Sequence, residues 1–235
     1  MQWQNKEETQ KAGATFTKGT IFGKDVVVTE CGIGKVNAAV TTQVMIDTFS
    51  PFAIINSGVG GALSESLKVG DIVISTCAVE HDYDTTAFGD PKGLICFKDE
   101  QIVDIPADEN LCQKLLTACE TLENTTVLKG KIATGDQFIS DTAKRLSIGK
   151  EFNALACEME GGAVGQTSYR NKIPFAILRC ISDDLTNSTS MDYETFKGVA
   201  AAKTATVLSN FIKASPKLLY YEGQYDRLAM KKERI

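Results

Sequence analysis

Short apolar runs, separated by polar segments that contain glycine, are the first feature of this sequence. Most of the runs are rich in β-branched residues, which is typical of strands that are covered on both faces. We therefore predict strands over Ala53–Asn56, Asp71–Thr76, Val127–Ala133, Ala154–Cys157 and Phe175–Ile181, preceded by a hairpin of Thr15–Ile21 with Asp25–Thr29 that turns at Phe22, Gly23 and Lys24.

Segments with apolar residues at helical spacing lie between these runs. Val36 and Val40 fall on one face of a helix predicted over Lys35–Thr48. A second predicted helix begins at Asp108, a residue type that caps helix N-termini, and ends at Leu122. The remaining predicted helices are Gly162–Arg170 and Tyr193–Ile212.

The alternation of strands and helices sets the expected fold class. It predicts a single α/β domain with a largely parallel sheet over residues 1–214. Residues 215–235 are aromatic and then basic, and are predicted to form a C-terminal extension. The length of 235 residues and the apolar share of 43% suit one domain of this kind.

The composition argues against several classes of function. A net charge of -5 does not attract phosphate backbones, so a nucleic-acid partner is not expected. The single histidine, His81, excludes zinc sites built from several histidines. The apolar runs of the sequence are too short to cross a membrane.

The number and spacing of the cysteines indicate the cellular compartment of the protein. The seven cysteines are scattered and no two form a C-x-x-C pair, so we expect free thiols and no disulfide framework. The first ten residues, MQWQNKEETQ, are polar and lack the apolar region of a signal peptide. Both observations predict a cytoplasmic protein.

Glycines and carboxylates follow the predicted strands, at the edge where open α/β sheets bind ligands. Ser57–Gly61 follows one strand, Glu158 and Glu160 follow another, and Asp183 and Asp184 follow the most apolar one. Each group alone also suits an ordinary turn or a helix start. Together they predict a polar pocket.

Six motifs carry a resemblance to a known family. They are GIGKVNAA, IINSGVGGAL with LKVGDIV after it, HDYDTTAFG, ATGDQFI, ACEMEGGAV and PFAILRCISDD, in this order. The chain resembles the 5′-methylthioadenosine/S-adenosylhomocysteine nucleosidases of the nucleoside phosphorylase superfamily over residues 13–212. The resemblance implies a central mixed sheet, partly barrel-like and surrounded by helices, in a homodimer.

The resemblance also implies the reaction, which is hydrolysis of an N-glycosidic bond that releases adenine and a thioribose. The substrate partner is then a small adenine nucleoside, and no metal or organic cofactor is needed. Cleavage builds positive charge on the ribose and negative charge on adenine, so an acid at the base and carboxylates at the ribose and the water are required.

The family's site residues carry over onto matching positions. Asp183 would be the acid at adenine N7, oriented by Ser182, and Glu160 would accept hydrogen bonds from the ribose hydroxyls. Arg179 would support both segments from behind, or else form a buried ion pair without a catalytic part. The other implied substrate-binding residues are Met159 and Glu158 beside the ribose, Phe138 stacked on adenine, Ile139 with its backbone groups, Ile33 and Tyr193 at the alkylthio group, and Gly60 and Gly61.

One part of the family pattern is not found in this sequence. The family opens with a strand that reads roughly IGIIGAMEEE and supplies the glutamate that activates water. Glu7 and Glu8 have polar neighbours and are not expected to replace it. Two interpretations are open, an incomplete copy of an active nucleosidase and a catalytically impaired homologue that binds nucleosides.

A purine nucleoside phosphorylase is the nearest rival function. Phosphorylases hold a phosphate dianion with cationic side chains. Here the corresponding position is Asn56, the turn Ser57–Gly61 has no Arg or Lys, and Lys35 is expected only to cap the start of its helix or to be solvated there. A dinucleotide-dependent oxidoreductase lacks its glycine fingerprint. We expect a structural role, with satisfied hydrogen bonds, for His81.

Overall fold

A three-stranded antiparallel sheet forms the first part of the computed structural model, which describes residues 3–185 and 193–215. Its strands are β1 (Trp3–Lys11), β2 (Ala14–Ile21) and β3 (Lys24–Thr29), paired in that order. The predicted β2–β3 hairpin is confirmed. Strand β1 was not predicted, because its residues are polar on both faces and it forms the exposed edge of the sheet.

The second sheet contains the predicted strands, and each strand extends beyond the carboxyl end of its predicted range. The Ser57–Gly61 segment is not a turn but the second half of a strand. The remaining strands in chain order are β4 (Ile54–Ala62), β5 (Ile72–Glu80), β6 (Ile95–Cys96), β7 (Gln101–Ile102), β8 (Ile105–Pro106), β9 (Val127–Thr134), β10 (Ala154–Glu158) and β11 (Phe175–Asp183). Of these, β6 and β7 pair with each other in a separate two-stranded sheet.

This larger sheet closes into a barrel-like ring. Its order is β11-β4-β10-β9-β5-β8, and β11 also pairs with β5. The β4–β11, β5–β9 and β9–β10 pairs are parallel, whereas the β4–β10, β5–β11 and β5–β8 pairs are antiparallel. The mixed, partly barrel-like sheet is thus confirmed, and the largely parallel sheet expected from alternation alone is wrong.

Helices surround the ring, and the described part of the chain contains no helix that is both long and apolar enough to cross a bilayer. Asp108 caps a helix as predicted, because its side chain accepts a hydrogen bond from the Leu111 N–H at 2.9 Å. The helices are α1 (Lys35–Phe49), α2 (Glu109–Ala118), α3 (Thr142–Phe152), α4 (Gly161–Arg170) and α5 (Tyr193–Ala214), with a short 3-10 helix at Thr86–Phe88.

Strand β11 is covered on both faces, as its apolar sequence predicts. Leu178 packs in a cluster with α2 and α5, and Ile177 packs in a cluster with α1 and α4. Full burial of such a side chain stabilises the fold by about 1.5–3 kcal/mol. This packing on both faces fixes the position of the strand, and with it the polar residues at its carboxyl end.

The face of α1 that carries Val36 and Val40 lies largely on the surface. Val36 is 72% exposed and Val40 is 45% exposed, whereas Ala38, Thr41 and Thr42 face the core. The helical prediction is confirmed, but Val36 and Val40 do not lie on the face of α1 that packs on the core.

Two sequence predictions fall at or beyond the limits of the described residues. Helix α5 begins at Tyr193, as predicted, but the Tyr193 side chain lies outside them. Of the expected extension over 215–235, residues 216–235 lie outside them as well. The boundary between the domain and the extension stays a prediction.

Candidate active site

Sheet register brings the polar strand ends together. Glu158 of β10 pairs with Thr134 of β9, and Gly61 of β4 pairs with both Cys157 of β10 and Asp183 of β11. The glycine segment, the first acidic pair and the second acidic pair therefore meet at one edge, as the sequence predicted.

A buried ion pair between Arg179 and Glu158 lies beneath this edge. Their side chains are 1% and 2% exposed, and the Arg179 Nε donates to Glu158 Oε2 at 3.2 Å. The Arg179 Nη2 also contacts Glu158 and the amide oxygen of Asn56. Arg179, in the middle of β11, thus links the end of β10 to β4.

The Glu158 carboxylate also accepts hydrogen bonds from other groups inside the protein. It accepts hydrogen bonds from the Glu160 and Gly161 N–H groups, at 3.0 and 2.7 Å, and from the Thr134 hydroxyl. Burial disfavours the charge, but Arg179 and these donors outweigh it and hold the pKa of Glu158 below its usual value. Glu158 therefore faces the protein interior and not the pocket.

Glu160 is the more accessible carboxylate of this segment. It stands at the start of α4 with a side chain that is 20% exposed, and Met159 beside it is half-buried. Its Oε1 accepts a hydrogen bond from the Gly34 N–H at 3.0 Å, which ties the GIGK loop to the site. Burial, and next the charge of Glu158, raise the pKa of Glu160.

Lys35 anchors the same loop, contrary to the expectation that it caps or is solvated at the start of α1. Its Nζ lies 3.2 Å from Glu80 Oε2 and 2.7 Å from Asp82 Oδ1. The Lys35 N–H donates to Asp136 Oδ1 at 2.7 Å, and the Asp136 N–H donates to Asp82 Oδ2 at 2.7 Å. The loop that carries Ile33, which is 72% exposed, is therefore fixed from two sides.

His81 is buried, with 4% exposure, and burial lowers the pKa of its imidazole. Its Nε2 has no hydrogen-bond partner among the described residues. The buried position agrees with a structural role, but the expected full set of hydrogen bonds is wrong for this atom.

Asp183 ends β11, and each of its two carboxylate oxygens contacts a neighbouring side chain. The Ser182 hydroxyl donates to Oδ1 at 2.6 Å, and Arg145 of α3 forms an ion pair with Oδ2. A side chain at Gly61 would place its Cβ 3.1 Å from Oδ2, and one at Gly60 would lie 3.0 Å from the Cys157 carbonyl oxygen. Both glycines are therefore needed for the close approach of these strands.

The segment after β9 contributes one exposed and one buried residue. Phe138 is 74% exposed, so it is not a core residue, whereas Ile139 is 6% exposed. The Ile139 carbonyl accepts a hydrogen bond from the Arg145 Nε at 2.8 Å. Arg145 thus links Asp183 to Ile139, the residue next to Phe138 in the chain. The exposed ring of Phe138 suits a flat aromatic ligand.

The arrangement provides acid and base chemistry. Glu160 and Asp183 are partly exposed carboxylates held by different partners, and Arg179 and Glu158 neutralise each other below them. Among the described residues, His, Cys, Asp and Glu side chains do not gather in threes that could hold a metal ion.

Comparisons with known proteins agree with the motifs. The model of the phosphorylase superfamily matches residues 2–213. A 5′-methylthioadenosine/S-adenosylhomocysteine nucleosidase of Staphylococcus haemolyticus is 40% identical over 210 residues, which are 88% of this chain and 89% of the relative.

Solved structures agree as well. The Neisseria meningitidis nucleosidase of the same name, in complex with methylthio-immucillin-A, has a TM-score of 0.83 at 33% identity and 91% coverage of each chain. The Campylobacter jejuni enzyme has a TM-score of 0.82 at 32% identity, over 89% of this chain and 90% of that one. This chain belongs to the 5′-methylthioadenosine/S-adenosylhomocysteine nucleosidase family.

Two nucleosidase-site features were not found by sequence reasoning. Arg145 lies on α3, which was not predicted, although Asp141 at its start accepts a hydrogen bond from the Lys144 N–H at 2.7 Å and was a usable capping signal. The Lys35 ion pairs join segments far apart in sequence. No local pattern predicts such partners.

We expect Glu158→Gln to destabilise this nucleosidase fold by about 3 kcal/mol at neutral pH, because it leaves Arg179 buried without a counter-charge. The depressed pKa of Glu158 means that its stabilisation is present above the unfolded carboxyl pKa and is lost as pH falls through the lower folded pKa. The difference between the variant and the unchanged chain should therefore shrink in strongly acidic buffer. Urea unfolding at several pH values measures it.

Glu160→Gln is the matched control, since Glu160 is partly exposed and lies 3.8 Å from Arg179. It should change the free energy of unfolding much less. Equal losses in the free energy of unfolding for the two variants would contradict the inference that the Arg179–Glu158 pair stabilises the fold.

Proposed function

We propose that this chain hydrolyses the N-glycosidic bond of 5′-methylthioadenosine and S-adenosylhomocysteine, releasing adenine and a thioribose. The observation that carries the proposal is the pair of partly exposed carboxylates, Asp183 and Glu160, held by separate partners at joined strand ends. The names of the relatives in the family support the same substrates.

Asp183 acts at the base. It donates a proton to adenine N7 as the glycosidic bond breaks, so that adenine leaves as a neutral molecule. Ser182, at 2.6 Å from Oδ1, orients the carboxyl group. Phe138 offers its exposed ring for stacking on adenine, and Ile139 offers backbone groups to the base edge.

Glu160 acts at the sugar. Its carboxylate accepts hydrogen bonds from the ribose hydroxyls, and Met159 packs against the ring. Ile33 and Tyr193 contact the alkylthio group, for which the 72% exposure of Ile33 leaves apolar surface free. Gly60 and Gly61 allow the close approach of β4 to Cys157 and Asp183, and so help to place Asp183 at the substrate site.

Arg179 and Glu158 act through their neighbours as positioning residues. Arg179 does lie against Asn56 and Gly58, where a phosphorylase would hold phosphate, but its charge is balanced by Glu158. A neutralised guanidinium is a poor phosphate site. Hydrolysis is therefore favoured over phosphorolysis.

Three of the four carboxylates of the two acidic pairs have a task in this proposal. Glu158 is paired with Arg179, Glu160 holds the ribose and Asp183 is the acid. The base that accepts a proton from the attacking water is not among these three assignments.

The protein is proposed to act as a cytoplasmic homodimer. All seven cysteines are free, which suits a reducing compartment. Ile33, Val36 and Val40 recur at helical spacing and are 72%, 72% and 45% exposed. Exposed large apolar side chains grouped in this way typically mark a protein interface.

Adenine release from 5′-methylthioadenosine tests the acid assignment. The chain should release adenine equally well with and without phosphate, and Asp183→Asn should lower kcat by about 10²-fold or more, because the acid is lost. Asp99→Asn, on an exposed loop, is the control and should leave kcat unchanged. Binding of the nucleoside without release by the unchanged chain would instead indicate an impaired homologue, and a need for phosphate would indicate a phosphorylase.

The sugar contact predicts a specific loss of discrimination. With Glu160→Gln, the preference for 5′-methylthioadenosine over its 2′-deoxy analogue, measured as the ratio of kcat/KM values, should fall by about tenfold. The reason is that a hydrogen bond to a charged carboxylate is replaced by a weaker one to an amide. An unchanged ratio would argue that Glu160 does not hold the diol.

The dimer is tested by sedimentation velocity. A lysine at the centre of the apolar face, Val36→Lys, should convert dimers to monomers, because the buried charge would have no partner. Phe52→Lys replaces an apolar side chain of similar exposure, 66%, on a different segment and should leave the dimer intact. A monomeric unchanged chain would contradict the interface.

A further inference from the structure

Strand β11 contains one extra residue directly before the candidate acid. Along the side that faces β4, Ile181 pairs with Gly60 and Asp183 pairs with Gly61, so Ser182 has no partner of its own in β4. Two steps along β11 are thus matched by a single step along β4. This is the arrangement of a β-bulge, which commonly re-aims a side chain next to an active site.

The bulge decides which residue of β4 lies opposite Asp183. In a regular ladder Asp183 would pair with Ala62, because each step along one strand is matched by one step along the other. With the bulge it meets Gly61, where an added Cβ would lie 3.1 Å from Asp183 Oδ2. The hydroxyl of the extra residue, Ser182, lies 3.3 Å from the Gly60 carbonyl oxygen and 2.6 Å from Asp183 Oδ1. The direction of the acid therefore depends on the place of the bulge.

The other edge of β11 is held at Ile181, the last residue before the bulge. Its N–H donates to the Asp71 carbonyl at 2.8 Å, and its carbonyl accepts a hydrogen bond from the Gly70 N–H at 2.9 Å. These bonds continue the antiparallel β5–β11 ladder beyond its pair of Cys180 with Ile72. The bulge therefore begins where the backbone of β11 is held from both sides.

The carboxylate of Asp71 fixes the segment that makes this contact. Asp71 is 6% exposed, its Oδ2 accepts a hydrogen bond from the Lys68 N–H at 2.8 Å, and its Oδ1 accepts one from the Thr126 N–H at 2.9 Å. The first bond closes the turn before β5, and the second joins that turn to the residue before β9. Both oxygens of one carboxylate thus hold the segment that pairs with Ile181.

Lys203 of α5 adds a second connection to the same segment. Its ammonium group donates to the Gly70 carbonyl at 2.6 Å and to the Thr125 hydroxyl at 2.9 Å. The LKVGDIV motif, Leu67–Val73, therefore connects α5 and the start of β9 with the carboxyl end of β11.

We propose that Asp71 is a positioning residue for the acid of the reaction. By fixing its own backbone and that of Gly70 against Ile181, it places the bulge at Ser182 and so directs Asp183 toward N7 of adenine. Asp71 acts only through β11, and its role rests on the proposed function, in which Asp183 donates the proton.

A misplaced acid and a loosened fold have different consequences for two substrates. With 5′-methylthioadenosine, the O–H bond of protonated Asp183 breaks, an N7–H bond forms, and the electron pair of the C1′–N9 bond passes to adenine. With methylthioribose joined to para-nitrophenol, the electron pair passes to the oxygen of nitrophenolate, a stable anion that leaves without a proton. Only the first reaction depends on the direction of Asp183.

Asp71→Asn should lower kcat for adenine release by about 10- to 100-fold, because an amide nitrogen replaces one acceptor oxygen, and a small misplacement of a reacting group has an effect of this size. Release of nitrophenolate, and KM for 5′-methylthioadenosine, should change little. Steady-state kinetics with both substrates, well below the unfolding temperature, measure this difference. Asp183→Asn should show the same pattern, since it removes the acid itself.

Asp108→Ala is the matched control. Asp108 is also a carboxylate that accepts a backbone N–H, at the start of α2, and its own N–H donates at 2.8 Å to the carbonyl of Phe175 at the opposite end of β11. This variant should lower the Tm and leave both kcat values unchanged. If urea unfolding shows that Asp71→Asn does not fold, Lys203→Met takes its place, because it removes the connection to Gly70 and should give the same difference between the substrates.

The outcomes separate the inference from the function on which it rests. A folded Asp71→Asn variant that releases adenine as fast as the unchanged chain, or that loses both activities equally, would overturn the inference and leave a purely structural aspartate. Undiminished adenine release by Asp183→Asn would overturn the assignment of the acid, and a folded, unchanged chain that releases no adenine would overturn the proposed function. The inference would fall with either of these two.

Discussion

The buried ion pair between Arg179 and Glu158 is the constraint on which the rest of the site depends. Moving two charges out of water costs several kcal/mol per ion, and the cost is offset only when the remaining donors and acceptors are also satisfied. Here Asn56, Thr134 and two backbone N–H groups complete the set. Strands β4, β9, β10 and β11 must therefore keep their register relative to one another for this set of contacts to form.

That constraint also organises the chemistry. Because the innermost carboxylate and guanidinium neutralise each other, the two outer carboxylates can differ in environment. Glu160 is approached by a backbone N–H of the GIGK loop, and Asp183 by a hydroxyl and a cation. Two carboxyl groups thereby acquire separate environments, which is what cleavage of a glycosidic bond requires. The Lys35 ion pairs fix the GIGK loop, and thus keep its backbone N–H group next to Glu160.

Much of the fold and site could be predicted from local pattern. The apolar run of β11, the hairpin turns and the Asp108 cap depend on residue type and short-range geometry, so they are readable without a structure. The motifs placed Glu160, Asp183 and Gly61 at strand ends, and the register brings those ends together. Strand β1 and helix α3 were not predicted, because mostly polar segments show no clear apolar period.

The sequence by itself determined the order of elements, the family and the residue types available for catalysis, because these follow from local propensity and motif spacing. Only the tertiary structure decided how charges are paired. It turned Glu158 inward and Glu160 outward, placed Arg145 against Asp183, and left Val36 and Val40 of α1 largely on the surface. The physical reason is that each pairing joins residues from different elements, and its energy depends on burial and distance, which appear only when the chain is folded.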